Sequence, residues 1–123
     1  MATLYTTRKV LSPVRVRRVL LTTTAATTVL SWTPPVTGSY AVALYASVVT
    51  AATATTLTVS WTDPDTGTSQ SLTVANAQSL PVGATPFGTY HIVAQAGSPI
   101  AVTATAGTAN QVRVSAAVLS LDG

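Results

Sequence analysis

Few side chains in this sequence are of a type that does chemistry, and they stand apart. Asp63 and Asp65, two positions apart beside Gly67, offer hard oxygen ligands of the kind that bind calcium. The further acids and the closing glutamate of a calcium loop are missing. The order Asp63-Pro64-Asp65-Thr66-Gly67 is also the order a tight turn wants, and the turn is the stronger reading. His91 is the sole histidine and could act as a general base, but no acid shares its strand to orient it. Serine and threonine are abundant, yet a nucleophile needs a base that is itself held by a third group. No Gly-x-Ser-x-Gly elbow is present, and Gly97-Ser98-Pro99 reads as a turn. The chain has no glutamate, and its acids are Asp63, Asp65 and Asp122. An enzyme is not expected.

Other classes fall away by subtraction. With no cysteine, thiolate metal sites, disulfides and cysteine nucleophiles are excluded. No Walker loop or Gly-x-Gly-x-x-Gly fingerprint occurs, so no nucleotide cofactor is expected, and no metal site either. Mean hydropathy is +0.45, but no apolar run reaches the roughly 18 residues that cross a bilayer. The apolar stretch after the basic opening is short and breaks into threonines, unlike a signal peptide. Nothing read here sends the chain through a membrane.

The charged residues are unevenly placed. Arg8, Lys9, Arg15, Arg17 and Arg18 fall within the first 18 residues, whereas everything after them carries Arg113 against three aspartates. In Val14-Arg15-Val16-Arg17-Arg18 the alternation puts Arg15 and Arg17 on one face of a strand. Arginines can neutralise phosphates, but Tyr5 is the only aromatic in this arm, a weak footprint for nucleic acid. Docking to an acidic protein partner is favoured, a solvated strand face being the plainer alternative.

The elements that would position these residues are strands. Charged residues make up 7% of the 123 residues, against roughly 25% in ordinary domains. Their place is taken by 24 Thr, 20 Ala, 17 Val and 11 Ser, small or β-branched types that fit a pleated surface better than a helix. Tyr40, Val42, Leu44 and Val48 alternate with Ala41, Ala43, Tyr45 and Ser47, and Leu57, Val59 and Trp61 alternate with hydroxyl residues. The Asp63 turn then leads to a hairpin partner over 68–74. Residues 14–21, 27–32, 90–95, 100–106 and 111–121 also read as extended. Val112 and Val114 are out of phase with Leu119 and Leu121, which predicts a bulge near Ala116-Ala117. Residues 75–88 lack a period and contain Pro81, Gly83, Pro86 and Gly88, so they read as the longest loop, with Phe87 exposed in it as a contact residue. Of the other aromatics, Trp32, Tyr40, Trp61 and Tyr90 suit core packing, and Tyr45 falls in the outward phase.

About eight short strands separated by turn signals, with no helix, predict an all-β antiparallel sandwich or jelly roll. An extended basic arm is assigned to residues 1–18 and the sandwich domain to residues 19–123.

Thr27 to Trp32, Pro34-Pro35, Gly38-Ser39-Tyr40 with its strand, and Gly97-Ser98-Pro99-Ile100 occur in an order with a parallel elsewhere. Over roughly residues 19 to 121 the chain resembles a small β-sandwich module common among structural proteins of tailed bacteriophages. The basic start has no counterpart in that module. The resemblance implies a virion component, often trimeric, that decorates heads or forms part of fibres or tail tips. The leading expectation is a decoration or cement protein whose arm meets the major capsid protein or another virion protein. The alternative is a fibre-tip module that recognises cell-surface glycan near Phe87.

Overall fold

A computed structural model describes residues 14–121 and, for residues 15–17, the backbone alone. The chain forms eight strands: β1 (Val14–Leu20), β2 (Thr27–Trp32), β3 (Gly38–Val48), β4 (Thr53–Thr62), β5 (Ser69–Leu80), β6 (Gly83–Ala94), β7 (Ile100–Ala106) and β8 (Val112–Ser120). They make two four-stranded antiparallel sheets, ordered β1-β8-β3-β6 and β2-β7-β4-β5. Within this pattern β1 pairs with β8, β2 with β7, β3 with β6 and β4 with β5. The chain is therefore one long hairpin, turned at Asp63–Thr68 and rolled up so that β3 also meets β8 and β4 meets β7. This winding is a jelly roll, one of the solutions that pack two antiparallel sheets face to face.

The inward phase of every strand fills the space between the sheets. Leu21, Val42, Leu57, Val59, Leu80, Ile100, Val102, Val112, Val114 and Val118 are fully buried, joined by alanines such as Ala46, Ala94 and Ala104. Alternation set by valine, leucine and threonine thus becomes alternation between core and surface.

Three expectations need correction. Residues 75–88 are not a loop: β5 continues to Leu80, β6 begins at Gly83, and Pro81-Val82 alone joins them. Both are edge strands open on one side, so the two-residue hydrophobic period that marks a half-buried strand is weak in them. Pro86 and Gly88 flank a bulge, because Leu44 faces Gly88 while Tyr45 faces Pro86. Second, β8 has no bulge near Ala116-Ala117, since its register with β3 is unbroken from Tyr40↔Ser120 to Val48↔Val112. Its inward phase runs on through Val118, and Leu119 and Leu121 simply face outward. The irregularity lies across the ladder in β1, between Val16 and Val19. Third, the boundary drawn after residue 18 falls inside β1, whose residues from Val14 onward belong to the sheet.

The links gather at two ends. At one, Asn110 N donates to Leu21 O (2.8 Å), Val49 N to Gln111 O (2.8 Å) and Gly107 N to Ala54 O (2.7 Å). At the other, Gln95 N donates to Thr62 O (2.9 Å), Gly97 N to Pro34 O (3.0 Å) and Leu121 N to Ser39 O (2.9 Å). Val14 lies opposite Val118, so the chain enters and leaves the sandwich at this second end.

Candidate functional site

The two aspartates build a turn. Asp63 Oδ2 accepts from Thr66 N (3.2 Å) and Thr66 Oγ1 (3.0 Å), while Asp63 N and O bond Thr68 O and Gly67 N. Gly67 sits at φ +67°, a conformation that glycine adopts without strain. Asp65 is exposed beside it. Among the described residues no three of His, Cys, Asp and Glu come together as metal ligands. His91 is exposed on β6, opposite Ala41 of β3.

The aromatic side chains are largely committed to the interior. Trp32 and Tyr40 pack edge to face at 5.6 Å, and the Tyr40 hydroxyl donates to Val36 O at 2.5 Å. Trp61, Tyr90 and Phe87 lie against the core, and the Tyr90 hydroxyl donates to Phe87 O at 2.7 Å. Phe87 is thus not an exposed loop residue. It is the extra residue of the β6 bulge, and the bulge turns its ring toward the core. Tyr45 does stand exposed on the outer face, as its phase predicts.

The basic segment is split by its surroundings. Arg8 and Lys9 lie outside the described residues. Arg15, Arg17 and Arg18 belong to β1, an edge strand. Arg18 occupies the bulge at φ 56°, exposed, and its backbone N–H donates to Ser115 Oγ at 2.9 Å. The bulge consumes one residue of register and so breaks the strict alternation read from the sequence. Arg113 of β8 lies opposite Leu20 at the end of the same strand.

What the strands hold out to their surroundings is two charge-poor faces. On the outer face of β2-β7-β4-β5, the register aligns Thr28, Thr103, Thr58 and Thr73 in a row across all four strands. Ser31, Ala101, Ser60 and Ser71 form a second row beside it. On the outer face of β1-β8-β3-β6, Ala117 and Ala43 pair across the sheet, as do Leu119 and Ala41, and Ser115 and Tyr45. Such surfaces carry little electrostatic protection against association. The threonine and alanine counts hinted at these faces, but the rows exist only through cross-strand register, which composition does not encode.

No family model and no curated protein matches this chain. Solved structures do resemble it. The VP2 protein of infectious bursal disease virus, in its subviral particle, aligns at TM-score 0.55 with 17% identity, covering 86% of this chain and 30% of that one. VP2 of the Gx strain aligns at 0.55 with 16% identity, over 93% of this chain and 32% of that one. VP2 in virus-derived T=1 particles gives 0.55 and 17%, over 87% and 29%. The chain therefore spans about a third of VP2's length. At this identity the likeness is one of fold: the jelly roll found here is also built into those chains.

Proposed function

We propose that this protein is a non-catalytic structural subunit of a virus particle, a decoration protein seated on a phage head beside the major capsid protein. The observation that carries the reading is the rolled hairpin with two nearly uncharged outer faces. That architecture offers neighbouring subunits broad, bland surfaces and gathers no catalytic constellation among the described residues. The fold it shares with VP2, which assembles into particles, supports the same reading. A stable interface buries about 1,600 Å² in total, and an added strand together with one sheet face supplies an area of that order. Binding of this kind adds to the working stability of a small sandwich by mass action. Homotrimeric association on the virion surface is part of the proposal. With Phe87 turned toward the core, the glycan-binding alternative loses the residue that motivated it.

The test is stoichiometry on whole particles by quantitative mass spectrometry. A copy number on the order of hundreds matches a repeated capsid lattice. A handful of copies places the chain in a tail and overturns the decoration reading.

A further inference from the structure

The two outer faces differ in chemistry. On β2-β7-β4-β5 every member of the two outward rows except Ala101 carries a hydroxyl, which water solvates well. The centre of the β1-β8-β3-β6 face is apolar instead. Ala43 pairs with Ala117 there, Tyr45 with Ser115 in the next row to one side, and Ala41 with Leu119 in the next row to the other. The two large side chains therefore stand on a diagonal, each beside a small neighbour. Tyr45 is 44% exposed, while Ala41, 6% exposed, lies low between Leu119 and His91. Among the described residues no third layer covers this face.

We propose that this face binds the same face of a second copy about a two-fold axis that runs along the strands between β3 and β8. Tyr45 of each copy then seats over Ser115 of the other, and Leu119 over Ala41 of the other. The inference rests on the reading that the chain works as an assembled subunit. A two-fold contact cannot lie within a three-fold ring, so it joins chains of neighbouring trimers.

Relief, area and charge agree on this occupant. An isologous contact must be complementary to itself, and rotation about that axis exchanges β3 with β8 while keeping each row level. Large residues thus meet small ones in both flanking rows, and Ala43 meets Ala117 in the middle. Sheets pack face to face in this way in ordinary sandwiches, and tyrosine is enriched at the centre of interfaces. The register of β3 with β8 runs from Tyr40 to Val48, which with four strands at ordinary spacings gives a face of roughly 600 Å² before side-chain relief. Two such faces bury about 1,200 Å², the lower end of what stable interfaces use. Charge selects the axis. An axis across the strands would lay β1 on β1, bringing together the strand that holds Arg15, Arg17 and Arg18 in each copy. The axis along the strands lays β1 on β6 instead, where His91 is the only titratable side chain besides Tyr90.

The test follows the full-length chain by analytical ultracentrifugation, with urea midpoints to confirm that each variant is folded. Tyr45→Asp and Leu119→Asp should each weaken dimerisation roughly tenfold or more, while Thr58→Asp on the hydroxyl face leaves it unchanged. Equal weakening by all three overturns the inference. Tyr45→Lys and Ser115→Asp chains, each impaired alone, should dimerise when mixed, because the new ammonium of one faces the new carboxylate of the other. A mixture that stays monomeric overturns the seating. A wild-type chain that is monomeric at every concentration overturns the contact, and if it is still found at high copy number on particles, the assembled-subunit reading stands without it. A dimer that is absent from particles supports the contact and defeats that reading.

Discussion

At the scale of single residues, two polar side chains have opposite effects. Gln111 Oε1 receives three donors, Thr50 N (3.1 Å), Thr50 Oγ1 (2.7 Å) and Ala51 N (3.1 Å), and so clamps the link between β3 and β4. Gln111→Ala leaves those donors to find water, and a loss of about 1–2 kcal/mol is expected from urea unfolding. Thr53 Oγ1 is buried and finds no partner. Valine has the same shape without the hydroxyl, so Thr53→Val should raise stability by about 1 kcal/mol, seen as a higher urea midpoint at unchanged slope. The sequence made the Asp63 turn easy to read and hid the Gln111 clamp. Asp63 and its partners lie within five residues, so their turn is visible locally. Gln111 acts on residues 60 and 61 positions away, and no local pattern announces it.

At the scale of elements, β1 decides where the domain begins. Val14 and Val19 pack against the core, and β1 covers the outer edge of β8. Removing residues 1–18 strips Val14 from the core and uncovers β8, which should cost about 2–4 kcal/mol in a denaturant titration and promote aggregation. Central strands were legible because one side of each is buried and the other is not, as in β3 and β4. Strands β5 and β6 were not, because each is an edge strand that lacks a neighbour on one side and its residues need not alternate. Pro86 and Gly88 then mimic loop signals while serving a bulge.

At the scale of the whole molecule, the rolled hairpin pairs β1 with β8 and, among the described residues, leaves β4 and β5 as the only consecutive partners. Nearly all contacts thus join distant parts of the chain, and loops must close before those contacts form. Refolding from denaturant should be slow for so small a chain, on the order of a second or longer in stopped-flow fluorescence of Trp32 and Trp61. A millisecond phase carrying the full amplitude would contradict the topology. The general architecture was legible from turn spacing and composition. The order of strands was not, since eight similar strands permit many windings and only register distinguishes them.

The chain enters and leaves the sandwich at one pole, beside Pro34, Gly97 and Leu121. The opposite pole, with the exposed stretch 22–26, is the one farthest from that entry and exit. That stretch is a natural platform: a foreign epitope grafted into it would project from the far pole, readable by an antibody without disturbing the sheets behind it.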